Sequence, residues 1–110
     1  MDDPRTALDT ERARNVRLLV DVERSMRDVS DARQDANSDD EHDPEGATLA
    51  WERGSLGAVR DAARQRIEQV DAALARLDAG TYGTCAVGGE PIPAARLAAV
   101  PWAATCVAHA

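Results

Sequence analysis

Apolar residues recur along the first third of the chain at Leu8, Leu19, Val22, Met26 and Val29. From Leu19 the steps are three, four and three, the alternation that keeps one stripe of a helix against a partner helix. Extended backwards, the stripe meets Asn15 and Arg12, so its early part is polar. Asp3-Pro4 is a suitable start, with Asp as cap and Pro at the first helical position. The pattern ends near Asn37-Ser38. A second stripe runs through Leu49, Leu56, Val59, Ala63, Ile67, Val70, Leu74 and Leu77, after a second cap-and-Pro start at Asp43-Pro44. Gly54 and Gly57 weaken its early part, each by ~1 kcal/mol relative to Ala. Asp78-Ala79-Gly80 ends it, since Gly suits the residue just past a helix. About 30 helical residues would reach roughly 45 Å.

Two amphipathic arms joined by a short link usually pair antiparallel. The pattern therefore predicts an all-α protein. Residues 1–79 form an antiparallel coiled-coil hairpin with its far end at 37–47, and residues 80–110 form a second module. That module has too many Pro and Gly for a long helix. A small loop-rich knob is expected, with short strands, a helical turn near Cys106, and Tyr82, Ile92, Leu97, Val100 and Trp102 holding it together. A coiled coil between chains fits the same stripes; the hairpin reading makes the protein a monomer.

Composition narrows the function. Hydrophobic content is 44%, much of it Ala, with aromatics at 3% and no Phe, which suits thin helix-on-helix packing. Net charge is −7, and every basic residue is Arg. Such a chain lacks the basic surface that releases counterions from nucleic acid, so no direct nucleic-acid contact is expected. A basic protein surface is the more natural partner. Residues 37–47 carry five acids, Asp39, Asp40, Glu41, Asp43 and Glu45, and no Arg, so most of the net charge sits at the expected tip. Charge runs are commonly solvated loops; a run at a hairpin tip also reads as a probe for a metal or for cationic side chains. It lacks the spacing of a calcium-binding EF-hand loop. No export signal or bilayer-length apolar run is visible, and two Cys without an export signal point to thiols in a reducing compartment, so a cytoplasmic location is expected.

The candidate chemistry lies near the C-terminus. Cys85 and Gly88, then Cys106 and His109, have the spacing of two zinc knuckles. Paired ligands two residues apart aim at one tetrahedral metal. Gly88 has no side chain to ligate. Cys85, Cys106 and His109 would be three ligands, with water or an unrecognised residue as the fourth. The expectation is a knob that holds zinc weakly or not at all and folds without it, and in which Gly88→Cys raises affinity. An open metal position is a feature of hydrolytic zinc, but Glu90 is the only acid nearby, and no enzyme activity is expected.

The segment Gly80-Thr81-Tyr82-Gly83-Thr84-Cys85-Ala86-Val87-Gly88-Gly89, then Ile92, Arg96-Leu97-Ala98-Ala99-Val100-Pro101, Cys106 and His109, resembles the TraR/DksA family of bacterial RNA polymerase-binding regulators. The resemblance implies a coiled-coil hairpin on a zinc-finger-like globule, here with a degenerate finger. It also implies an activity: the hairpin enters the polymerase secondary channel, its tip nears the catalytic magnesium, and initiation changes without DNA sequence being read. Family tips often carry Asp-x-x-Asp followed by Ala; Asp43 fits the first position, Gly46 occupies the second, and Glu45 is the nearest acid. Members that respond to guanosine tetraphosphate have basic residues where this chain has Val100 and Ala110, and a C-terminal helix that this sequence lacks, so no such response is expected. The rival reading is a coiled-coil adaptor whose partner is not polymerase.

Overall fold

Pro4 opens the first helix, where its missing N–H costs nothing. The computed structural model describes residues 3–37 and 44–110, with the side chains of 33, 35–37 and 44–50 left outside that description. The first helix, α1, runs Pro4–Asn37 and the second, α2, Pro44–Ala79. Asp3 begins α1 by accepting the Ala7 N–H at 3.0 Å. A six-residue helix, α3 (Ala94–Ala99), and a 3-10 turn at Val107–His109 follow. Among the described residues there is no β-strand, only an isolated antiparallel bridge between Thr84 and Pro91. The all-α prediction is borne out.

The chain forms two compact units, one of Met1–Arg14 with Gln65–Ala110 and one of Asn15–Arg64. Each contains part of both long helices. In the first, Arg5 pairs with Asp78, Arg12 Nε with Asp71 Oδ1 at 2.7 Å, and Arg66 with Glu11 at 3.4 Å. In the second, Arg64 pairs with Glu23 at 3.2 Å, Arg60 lies 4.0 Å from the Met26 sulfur, and Arg53 donates to Ser30. In both units rising numbers on α1 meet falling numbers on α2, so the helices are antiparallel.

Apolar burial follows the stripes. Leu8 and Val70 are wholly buried and, with Ala73, make the core of the first unit. Val22 and Ala63 are buried in the second. Two stripe positions shift. Val59 is 40% exposed, and Arg60 lies half-buried in its stead. The reason is register: counting back from Ala63, alternating steps of three and four land on 60 and 56, not on 59. Arg60 lays its aliphatic stem in the seam and keeps its charged end near Met26. Near the start of α1, the Glu11 side chain is 13% exposed and Asn15 is buried, while Arg12 is exposed. Glu11 fits there because it meets both Arg14 and Arg66.

The residues expected to bind the knob together divide their work. Ile92, with Leu97 against it, packs under Cys85 and Cys106. Tyr82 and Trp102 instead pack on the Leu8 cluster. Arg66 lies 3.7 Å from the centroid of the Trp102 ring, a cation over a π face. Tyr82 Oη donates to the Pro101 carbonyl at 2.9 Å.

Candidate metal centre

The end of α2 fixes where the first cysteine loop begins. Gly80 has φ +80°, the left-handed conformation that Gly adopts without strain. Its N–H reaches the Leu77 carbonyl at 3.3 Å, and the Thr81 N–H reaches Arg76 at 2.9 Å. This pair of reversed bonds satisfies carbonyls that the helix end leaves open. Five residues on, the Cys85 N–H donates to the Glu90 carbonyl at 2.8 Å and the Gly89 N–H returns to the Cys85 carbonyl at 2.9 Å. Residues 85–90 are thereby closed into a tight loop. The Ile92 N–H donates to the Gly83 carbonyl at 2.7 Å and extends the closure.

The second loop is held against the first. The Ala86 N–H donates to the Ala104 carbonyl at 2.8 Å. Arg96, on α3, donates through Nε to the Thr105 carbonyl at 2.8 Å, one residue before Cys106. The His109 N–H reaches the Cys106 carbonyl at 3.1 Å, so the 3-10 turn brings the imidazole back beside the thiol.

Four side chains converge: Cys85, Glu90, Cys106 and His109 offer ligand atoms that all lie within 4.8 Å of one another. His109 Nδ1 is 3.4 Å from Cys85 Sγ and 3.2 Å from Cys106 Sγ. Glu90 Oε1 is 2.7 Å from His109 Nδ1 and accepts the Cys106 thiol at 2.8 Å. Both cysteines are buried and neither is in a disulfide.

Electrostatics follow from these contacts. The Cys85 thiol is lowered to about 7, chiefly because the Gly88 N–H points at its sulfur, at 3.5 Å. The Glu90 carboxylate raises the Cys106 thiol, and burial adds to this. Glu90 is lowered, first by the Cys106 hydrogen bond. His109 is raised, first by its contact with Cys85 and, against burial, by the charge of Glu90.

Residues 80–108 match the prokaryotic dksA/traR C4-type zinc finger. The finger segment is thus of the TraR/DksA type. The fold agrees: the solved structure of transcription factor DksA2 from Pseudomonas aeruginosa covers 93% of this chain and 78% of its own, at TM-score 0.56 and 24% identity. General stress protein 16O of Bacillus subtilis is 38% identical over 68 residues, which are 62% of this chain and 42% of that protein. The RNA polymerase-binding transcription factor DksA of Caulobacter vibrioides is 48% identical over 49 residues, 44% of this chain and 34% of that protein. The chain thus spans less than half the length of these two curated relatives.

The TraR/DksA finger is of four-cysteine type, and this chain keeps two cysteines. Its donor set still suits a divalent ion such as zinc: two sulfurs, one imidazole and one carboxylate are all ordinary zinc ligands. Zinc bond lengths of ~2.0–2.3 Å in a tetrahedron imply ligand-to-ligand separations of about 3.3–3.8 Å. The two sulfur-to-imidazole distances, 3.4 and 3.2 Å, are near that range. The two contacts of Glu90 are at hydrogen-bond length, so its carboxylate would draw back by under about 1 Å to ligate. When bound, the metal would cross-link the two loops and add binding free energy to folding.

Of the residues singled out from the sequence, Cys85, Cys106 and His109 come together, and Gly88 lies beside them. Glu90 was missed as the fourth member of this cluster. Its signal was faint: it is the only acid in residues 80–110, directly after Gly88-Gly89, at a spacing that matches no zinc knuckle. The acidic tip lies apart from this centre in sequence. Asp39, Asp40, Glu41 and Asp43 fall outside the described residues, and Glu45 is in the first turn of α2 with its side chain outside the description. Among the described residues no helix is long and apolar enough to cross a membrane.

Proposed function

We propose that this chain is a transcription regulator that binds bacterial RNA polymerase at the secondary channel and modulates initiation through its acidic tip, without reading DNA sequence. The observation that carries the reading is the DksA-type fold across nearly the whole chain, with four acids between the two antiparallel arms and a fifth in the first turn of α2. Sequence likeness to a protein named for polymerase binding supports it. In this reading residues 1–79 are the probe, with its tip at 37–47, and residues 80–110 are the base that orients it. The tip's carboxylates repel one another and have no Arg among them. Cationic side chains and a bound magnesium on the polymerase would relieve that repulsion. The protein acts as a monomer in the cytoplasm, and no catalytic chemistry is assigned to it.

The test uses Asp39→Asn with Asp40→Asn, and Asp43→Asn separately. Competition for polymerase and initiation from a promoter with a short-lived open complex are measured on the same samples. The expected result is a loss of regulation larger than the loss of binding, with the double variant worse. Full regulation by the neutralised tip would leave the segment a solvated loop and refute the mechanism. Absence of any polymerase binding by the parent protein would favour an adaptor with another partner.

A further inference from the structure

We propose that the fourth metal ligand of this finger has moved two residues along the chain, from position 88 to Glu90, and that Gly88 is there to make room for it. The inference concerns the finger alone and stands whether or not the chain binds polymerase.

Four glycines punctuate residues 80–89, and three of them, Gly80, Gly83 and Gly89, have positive φ. Gly88 does not, so its backbone conformation does not call for Gly. What a side chain there would have to displace is the Glu90 carboxylate and the edge of the His109 ring. A Cβ at Gly88 would lie 1.9 Å from Glu90 Oε2 and 2.7 Å from Glu90 Cδ. It would also lie 2.7 Å from His109 Cε1. Glu90's carboxylate therefore fills the volume that a cysteine at 88 would use to reach the same centre. Its other oxygen already touches the thiol of Cys106 and the imidazole of His109.

The loop makes the exchange possible. The Cys85 N–H holds the Glu90 carbonyl, which fixes the Glu90 backbone across the loop from Cys85. Gly89 at φ +79° turns the chain between the two positions. A cysteine side chain has one carbon between backbone and donor; glutamate has three and reaches inward from two residues further on. The result is a set of two cysteines, one histidine and one glutamate in place of four cysteines. Two thiolates and a carboxylate supply three negative charges to a divalent ion, and zinc accepts all three ligand types.

A side chain at 88 and a ligating carboxylate at 90 are mutually exclusive, which gives the test its shape. Zinc affinity is measured on the full-length chain by competition with a chromophoric chelator. Cobalt(II) substitution reports ligand type through its ligand-field and sulfur-to-metal bands. The parent should take up one metal per chain with the spectrum of two thiolates. Glu90→Gln should lower affinity by about tenfold or more, since even outer-shell losses at metal sites reach that size. Gly88→Ala should weaken binding although it removes no ligand, and should cost less when added to Glu90→Ala, where only the contact with His109 remains. Gly88→Cys with Glu90→Ala should recover parental affinity or better and show a third thiolate in the cobalt spectrum. Circular dichroism of each metal-free variant separates ligand loss from unfolding. Unchanged zinc affinity in Glu90→Gln, or in Gly88→Ala, would overturn the proposal and leave Glu90 as a hydrogen-bond partner of His109. A parent protein that takes up neither zinc nor cobalt would overturn it as well.

Discussion

Replacing Leu8 by Ala tests whether the small cluster at Leu8, Val70 and Ala73 stabilises helices and finger together. Leu8 is fully buried, and Tyr82 and Trp102 from the finger segment lean on the same cluster. The change removes three carbon groups, worth about 0.8 kcal/mol each in transfer alone, so about 2.4 kcal/mol. A cavity term adds to this, because neighbours anchored as Tyr82 is, by its bond to Pro101, collapse only partly. A loss of about 3 kcal/mol is expected, a large share of the ~5–15 kcal/mol typical of a small domain. In urea, with a slope of roughly 1–3 kcal/mol per molar, the midpoint should fall by about 1–3 M. Leu18→Ala is the control, the same chemical change at a side chain 41% exposed, and should shift stability by less than about 0.5 kcal/mol. Denaturation is followed by circular dichroism for the helices and by tryptophan emission for the surroundings of Trp102, with Trp51→Phe as background. A Leu8→Ala loss below about 1 kcal/mol, or one equal to that of Leu18→Ala, would refute the assignment of this cluster as the core. Movement of the helical signal alone would refute its coupling to the finger.

Arg96→Ala removes the bond to the Thr105 carbonyl beside Cys106; thermal melts should show a cost of about 1–2 kcal/mol, and chelator competition should show weaker zinc uptake even though no ligand is lost. Reversing Glu23 to Arg or Arg64 to Glu should each lower the melting temperature slightly, and the double reversal should restore it, because the pair is exposed and contributes under about 1 kcal/mol. That restoration should be independent of protein concentration if the pairing is within one chain, and a concentration-dependent melt would point to a coiled coil between chains.

The helices were readable because burial along them is periodic. Leu8, Val22, Ala63 and Val70 fall on the inferred stripes and are buried. Val59 misled because its apolar side chain outranked register, whereas the long stem of Arg60 allows a charged residue to occupy a seam. Ala73 passed unnoticed because a small side chain gives little hydrophobic signal, although it is fully buried beside Val70. The helix at Ala94–Ala99 was not foreseen: its six residues are too few for a helical period to emerge. Cys85, Cys106 and His109 were legible from knuckle spacing. Glu90 was not, because its proximity to them depends on the turn at Gly89 and on the absence of a side chain at 88, which are facts about volume rather than pattern.

The crowding between positions 88 and 90 also constrains the order in which such a finger can change by mutation. Starting from cysteine at 88, losing that side chain first leaves three ligands and a hole, so a chain that relies on the metal passes through a weakened state. Acquiring glutamate at 90 first is benign, since the flexible carboxylate simply swings out to water while the cysteine keeps its place. The later change to glycine then admits the carboxylate into the space just vacated. In the reverse direction, a cysteine regained at 88 would displace the Glu90 carboxylate from the same space. Two substitutions that look independent along the chain are therefore coupled by a Cβ that would stand 1.9 Å from a carboxylate oxygen.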